Sequence, residues 1–284
     1  MTITTPGSWK EYSLIDSGNG EKLERWGKFI TRRPDPQAIW NKNNEYAQKW
    51  QKANFVYTRK DTGGTWNKEN IPSWEISYKN LRFQIKLTSF KHTGIFPEQA
   101  VNWDKFAKRL NESDKVLNLF AYTGGATVAA LSTGAEVCHV DASKGMTEMA
   151  KANVSLSGFN NGKVRFIVED VNKFVEREFR RGNQYSAIIM DPPSYGRGAG
   201  GELWKLEKSL PELLEKCKSI LTEKPKFLLL NAYANEFSHN SFRNLIEQEL
   251  GDRFSKVTSY ELGIKSESGL VMPCGFSVLA ENED

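Results

Sequence analysis

The stretch that most limits what this chain can become runs from Val116 to Asp141. A short apolar run, Val116-Leu117-Asn118-Leu119-Phe120, has the length and residue types of a buried strand. The turn Ala121-Tyr122-Thr123-Gly124-Gly125 follows, and then a helix-like run from Ala126 to Leu131. A second strand, Glu136 to Val140, ends on Asp141. This is a β-loop-α-β unit whose loop crosses the carboxyl end of the first strand, the edge at which open parallel sheets bind ligands. The two glycines let the backbone approach a ligand with no Cβ in the way. Asp141 stands where an acid at the tip of the second strand can accept hydrogen bonds from a ribose diol. An adenosine-bearing cofactor is the first expectation. A nicotinamide dehydrogenase also fits a glycine loop with a later acid, against which Ala126, Thr127 and Val128 break the full G-x-G-x-x-G. A βαβ unit with no ligand stays open as well.

The rest of the chain extends the pattern. Strand-like runs at 115–120, 136–140, 163–168, 186–190 and 226–231 alternate with helix-like runs at 126–133, 143–157, 172–182 and 206–222. Gly158 and Gly182 stand where helices should stop. This alternation predicts an α/β fold with a parallel, doubly wound, Rossmann-like sheet. The end differs: a helical run at 239–250, a strand near 254–261, a turn-rich segment at 263–269 and a last strand near 271–280. Two strands joined without a helix form an antiparallel hairpin.

Upstream, residues 8–88 read as short strands broken by turns. Tyr12 to Ile15 precedes a turn at Asp16 to Gly20, and Phe55 to Thr58 precedes one at Asp61 to Gly64. Trp74 to Tyr78, Lys79-Asn80 and Leu81 to Ile85 form a tight hairpin, while Arg33-Pro34-Asp35-Pro36 is loop. Residues 89–104 are too rich in turn formers for a regular element, with Asn102 or Asp104 placed to cap a helix reaching Leu110. The expected organisation is a small β-rich accessory domain at 1–88, a connector at 89–104 and an α/β domain at 105–284.

Composition narrows the class. The chain is 39% hydrophobic and 26% charged, as in soluble globular proteins. It has no apolar run long enough to span a bilayer, and its first residues carry neither the basic nor the apolar region of an export signal. Cys138, Cys217 and Cys274 are an odd count without C-x-x-C spacing, which argues for a reducing compartment and against a disulfide framework or a structural zinc site. The cytoplasm is the expected location. Residues 1–90 hold 15 Lys/Arg against 9 Asp/Glu, and six of the eight tryptophans. A basic, aromatic segment suggests a polyanion-binding accessory domain. Large aromatics filling a thin β core, with solvated charges around them, is the equal alternative.

Asp191-Pro192-Pro193-Ser194-Tyr195-Gly196 follows the apolar run Ala187 to Met190. Two prolines after a buried strand fix an extended path and donate no backbone hydrogen bonds. They hold Asp191 at the carboxyl edge of the sheet, where it can accept from an exocyclic amine or ring nitrogen. Tyr195 offers a ring face to a planar base. A rigid turn with a capping acid is the bland reading.

With these residues in view, the chain resembles the class I S-adenosylmethionine-dependent methyltransferases. More narrowly, it resembles the branch with the bacterial large-subunit rRNA methyltransferases acting at cytosine C5 and guanine N7. The resemblance rests on His92-Thr93-Gly94-Ile95-Phe96-Pro97-Glu98-Gln99, the loop Asn118 to Gly125, Val140-Asp141-Ala142-Ser143, Glu169-Asp170-Val171 and Asp191 to Tyr195, and covers residues 90–284. It implies that Asn118, Phe120, Ala121, Tyr122, Thr123 and Gly124 pass under the methionine part of S-adenosylmethionine. It further implies that Asp141 takes the ribose hydroxyls, with Ala142 and Ser143 beside the adenine. Asp170 would accept from the adenine amino group, Val171 would pack on the ring, and Phe96 to Gln99 would cover the cofactor. Asp191, Pro192 and Tyr195 would form the target pocket. Asp141 and Asp170 also precede helix-like runs, so each has a second reading as a helix cap.

The implied substrate is RNA, ribosomal RNA above all. A small-molecule or protein methyltransferase, and a non-catalytic RNA-binding module, are the rivals. Cytosine C5 chemistry needs a cysteine thiolate to add to C6. In the C5 relatives that cysteine follows the fifth strand, where this chain reads Leu230-Asn231-Ala232-Tyr233-Ala234-Asn235. Cys274 is the one substitute, with buried core as its alternative. His92 is either a substrate-positioning residue or a loop histidine. The oligomeric state is not legible.

Overall fold

The computed structural model describes residues 3–60, 63–89, 91–197, 201, 203–233 and 236–282. They divide into two compact units: residues 3–101 with 262–274, and residues 102–261 with 275–282.

In the first unit, β1 (Ile3–Thr4) precedes a sheet of five strands in the order β2-β3-β4-β5-β6. These are β2 (Tyr12–Gly18), β3 (Glu21–Trp26), β4 (Phe29–Pro34), β5 (Phe55–Arg59) and β6 (Gly64–Trp66). Asn19 and Gly20 both have positive φ, the geometry of a two-residue hairpin turn, and join β2 to β3. A short helix, α1 (Ala47–Gln51), precedes β5, and β7 (Trp74–Tyr78) pairs with β8 (Leu81–Ile85) as the alternation requires.

Three expectations change here. Asp16 to Gly18 belong to β2 rather than a turn, because the buried Asp16 carboxylate accepts from Asn43 N (3.1 Å) and Trp50 Nε1 (2.8 Å) and the strand bulges to admit it. Arg33 and Pro34 close β4 rather than a loop, since Arg33 is drawn inward by Glu24. Residues 89–104 do contain regular structure: a 3-10 turn at Pro97–Gln99 leads into α2 (Ala100–Ala107), started by a proline rather than by Asn102 or Asp104. In the turn expected at 61–64, Asp61 and Thr62 lie outside the described residues. The large aromatics do fill a thin core: Trp9, Tyr12, Trp26 and Tyr78 are buried, with ring centroids 4.5–5.8 Å apart.

In the second unit, β9 (Lys115–Leu119), α3 (Gly125–Leu131), β10 (Glu136–Asp141), α4 (Lys144–Leu156), β11 (Val164–Val168), α5 (Val171–Arg180) and β12 (Ala187–Met190) alternate as read. Then come a small hairpin, β13 (Tyr195–Arg197) with β14 (Leu203–Lys205), and α6 (Leu206–Ser219), β15 (Phe227–Ala232) and α7 (His239–Leu250). The last strands, β16 (Lys256–Lys265) and β17 (Val271–Glu281), are shared, with residues 262–265 and 271–274 counted in the first unit.

The strands lie in the order β16-β17-β15-β12-β9-β10-β11. β9, β10, β11, β12 and β15 are parallel, and β17 runs antiparallel to β15. The short turn between β16 and β17 leaves only a hairpin between them. The strand order reverses between β9 and β12, which makes their carboxyl ends the switch point where such sheets hold ligands. Leu117, Leu119, Ile188, Met190, Leu228 and Leu230 bury on one face of the central strands against α5, α6 and α7. Among the described residues no helix is long and apolar enough to cross a membrane.

Candidate cofactor and target site

The loop after β9 is the most contorted backbone in the unit. Phe120, Tyr122 and Gly124 have φ of +52°, +50° and +80°. For side chains as large as Phe and Tyr, each such residue costs roughly 1–2 kcal/mol, and a strained loop persists only where its surroundings hold it. Several contacts do. Ala121 N donates to Val140 O (3.1 Å), Gly124 N to Ala121 O (3.0 Å), and Asn153 Nδ2 from α4 to Thr123 O (2.8 Å). Asp141, at the tip of β10, takes Tyr122 N on one oxygen and Ser143 N on the other, both at 2.8 Å. One carboxylate therefore spans the two loops that flank the proposed adenosine. Burial raises its pKa, and the N–H groups of Ser143 and Tyr122 partly offset that rise.

Asp170 follows β11 and caps α5 with Oδ1, which accepts from Asn172 N (3.0 Å) and Lys173 N (3.1 Å). The capping reading is thus filled by a single oxygen. Val171 opens α5, is 3% exposed and packs in the core. Ser143 caps α4 in the same manner, with Ala142 half-buried beside it.

The Asn118 side chain turns beneath the loop. Its Nδ2 donates to Thr127 Oγ1 (2.9 Å), and that hydroxyl lies 2.9 Å from His139 Nδ1. A hydroxyl accepting from Asn118 has its own hydrogen for Nδ1, which leaves the imidazole proton on Nε2. Burial holds the His139 pKa down to about 3, and its Nε2 has no hydrogen-bond partner. The consequence is measurable. A neutral imidazole in the fold and an ordinary one in the unfolded chain give stability that is complete above pH 6.5 and declines as pH falls toward 3. His139 alone should remove about 2 kcal/mol between pH 7 and 5. Urea unfolding at both pH values should show this loss in the parent and a shallower one in His139→Asn; equal losses would refute it. His92, lowered to about 4 by burial and then by Arg33 and Lys91, acts in the same direction in the other unit.

The second loop is pinned by a residue that sequence reasoning passed over. Trp204 Nε1 donates to Pro193 O (2.7 Å), and its ring meets Phe120 edge-on at 4.8 Å. Leu206 N donates to Ser194 O (3.1 Å). Trp204 therefore ties the Asp191–Tyr195 segment to the strained loop. Pro192 is buried beneath, Asp191 is half-buried, and the Tyr195 ring is 57% exposed. Asn153 was also passed over. Its signal was a polar residue on the buried face of α4, beside Ala150 and Val154. Phe96 and Gln99 fall in the other unit, Gln99 buried and Phe96 half-buried.

At the end of β15 stands a polar network in place of a cysteine. Asn102 Nδ2 and Ser277 Oγ donate to Asn231 Oδ1, both at 2.8 Å, and Tyr260 OH donates to Asn102 Oδ1 (2.6 Å). Ala234 and Asn235 lie outside the described residues. Cys274 belongs to the first unit, where burial and then Glu98 push its thiol pKa well above the usual value.

The left-handed loop lies at the switch point of a doubly wound sheet, and Asp141 bridges it to the loop after β10. A family model for S-adenosylmethionine-dependent methyltransferases matches residues 46–248, and the chain belongs to that family. The crystal structure of a SAM-dependent methyltransferase from Agrobacterium tumefaciens is similar along the whole chain. It is 37% identical, with a TM-score of 0.93 over 100% of this chain and 94% of that one. A candidate methyltransferase complexed with SAH shares the fold, at 19% identity and a TM-score of 0.75 over 96% of this chain and 76% of that one. Among curated proteins, the ribosomal RNA large subunit methyltransferase I of Aeromonas hydrophila is 36% identical over 116 residues, which are 40% of this chain. The match spans 29% of that relative's length. S-adenosylmethionine is the cofactor, and the dehydrogenase alternative falls with the family match.

Proposed function

We propose that this chain methylates a base in RNA, ribosomal RNA first. The observation that carries the proposal is the exposed Tyr195 ring beside Asp191, on a loop that Trp204 holds against the strained cofactor loop. A flipped-out base can lie on that ring while Asp191 orients it. The similarity to proteins named as rRNA large subunit methyltransferases supports the same substrate class. Ribosomal RNA and reduced thiols are both cytoplasmic, and we place the activity there. In this reading residues 1–88 help hold substrate, 89–104 connect, and 105–284 carry the transfer.

The donor set fits the cofactor. Asp141 can accept from a ribose diol with its remaining lone pairs, and Asp170 keeps Oδ2 for the adenine amino group. Ala142, Ser143 and Val171 border the base, and the backbone of residues 118–124 faces the methionine part. When bound, the cofactor supplies a sulfonium methyl already activated for displacement. The remaining work is alignment and exclusion of water. Asp191 orients the target and takes up the proton that a ring or exocyclic nitrogen gives away. A C5 target would need a thiolate, and the half-buried Cys274 is held as a thiol. We therefore favour nitrogen.

Nucleoside mass spectrometry on ribosomal RNA from cells with and without the gene tests this. One methylated nucleoside should vanish, and return with the parent gene and with Cys274→Ser but not with Asp191→Ala. Loss of 5-methylcytidine would overturn the nitrogen assignment. An unchanged set of nucleosides would overturn the ribosomal RNA substrate.

A further inference from the structure

Part of the basic excess of the first unit is taken up by ion pairs. Arg32 and Lys42 share Glu21, while Lys22 and Arg33 close on Glu24 and Lys22 also on Asp35. Burial alone would raise the Glu24 pKa, but Arg33 and Lys22 hold it near 2. Lys49 meets Glu267, and Arg82 meets Glu75. These cations are neutralised at contact, as in any solvated or structural network.

Lys28 and Lys68 differ. Both are exposed, and neither meets a carboxylate among the described residues. Each lies over an aromatic ring instead: Lys28 Nζ is 5.2 Å from the Phe29 centroid, and Lys68 Nζ is 5.4 Å from that of Phe55. The two rings are 5.3 Å apart, and Trp74 completes a triangle at 4.8 Å from Phe29 and 5.9 Å from Phe55. Three separate strands, β4, β5 and β7, bring these rings together. Phe29 and Trp74 are only half-buried. The Trp74 ring is fixed in place, because its Nε1 donates to Trp26 O (3.0 Å). Arg25, opposite Ile30 and so on the other face of the sheet from Phe29, bonds the carbonyls of Lys10 and Gly27 at the β3–β4 turn. Glu11 is the acid near this turn, and its carboxylate is engaged by Ser77 N and Oγ.

A pinned, half-exposed aromatic surface rimmed by unneutralised cations suits one kind of partner. Ring faces take planar bases regardless of sequence, and the cations take the phosphates between them. An acidic peptide would use the charges and leave the rings idle. A membrane surface would call for a continuous apolar face free to insert, whereas Phe55 is buried and Phe29 and Trp74 are half-buried. We infer that Phe29, Trp74, Lys28 and Lys68 form a docking surface in the first unit for an unpaired stretch of RNA. The inference rests on the proposed RNA substrate and names where the accessory unit grips it.

The test uses the full-length protein and a fluorescein-labelled oligouridylate of about twelve nucleotides, long enough for one such site. Fluorescence anisotropy at several salt concentrations gives the dissociation constant and its salt slope. Lys28→Glu with Lys68→Glu changes two exposed side chains and should leave the melting temperature and cofactor affinity as they are. It should weaken RNA binding about tenfold or more and flatten the slope of log K against log salt by about 1.4, the share of two phosphate contacts on a single strand. Trp74→Leu, which removes the ring without touching charge, should weaken binding about fivefold or more at unchanged slope. If the parent binds and the double variant binds equally well with the same slope, the surface is wrong and the RNA substrate stands. If the parent shows no salt-dependent binding at all, both fall together.

Discussion

Asp141→Asn should raise the dissociation constant for S-adenosylmethionine about a hundredfold, the worth of one hydrogen bond to a charged acceptor. In the structure each carboxylate oxygen already receives one backbone N–H, from Tyr122 and from Ser143, and each has capacity to accept another. An asparagine has only one acceptor atom. Whichever way the amide turns, its NH2 group confronts either Tyr122 N or Ser143 N, so one loop is released and one ribose contact is lost. The variant should still fold. Burial raises the Asp141 pKa, so the folded chain holds the acid's proton more tightly than the unfolded chain does. That group's contribution to stability is complete below its unfolded pKa and is lost as pH rises through the folded value, so at neutral pH the ionised carboxylate is a cost that asparagine lacks. Titration calorimetry would give the affinity and thermal melting the fold. A variant that binds the cofactor within threefold of the parent would remove Asp141 from the site.

The second large effect is on stability. Gly124→Ala should cost about 2–4 kcal/mol, combining left-handed strain with an overpacked contact. Gly124 has φ +80°, and a Cβ there would lie 2.8 Å from Ala150 Cβ on α4. Ala150 sits on the buried face of its helix and cannot withdraw without moving the helix. Gly125→Ala meets a different obstacle, the Trp103 ring at 2.8 Å, with no φ penalty. It should cost less, since a ring edge can shift by a few tenths of an ångström. Urea unfolding would rank the two; a Gly124→Ala protein as stable as its parent would contradict the packing argument. The glycine pair was expected to let a ligand come near. Its immediate reason in the fold is the approach of α4 and of Trp103 from behind, which no local pattern announces.

Other parts of the fold were legible in advance. The strand ends at Leu119, Asp141, Val168 and Met190 followed from apolar runs of strand length and from the helix-like runs between them. The hairpin 74–85 followed from strict alternation around Lys79-Asn80. Both are local signals: a buried strand needs consecutive apolar residues, and a two-residue turn needs residues that tolerate positive φ. Asp16 was misplaced because its partners, Asn43 N and Trp50 Nε1, are distant in sequence, and only they make a buried carboxylate tolerable in a strand. The β13–β14 hairpin was missed because its strands are three residues long and depend on Trp204 reaching back to Pro193.

The division follows from range. The sequence alone determined the alternating α/β fold, its antiparallel finish, the position of the strained loop and the acids at the strand ends, since each depends on the order of apolar residues and turn formers within a few neighbours. Tertiary structure alone decided what braces that loop, namely Asn118 through Thr127 to His139, Asn153 on the Thr123 carbonyl, and Trp204 across to Phe120. It also decided which of fifteen early cations remain unneutralised, because an ion pair is a matter of distance in space, and a charge count along a chain carries no distance.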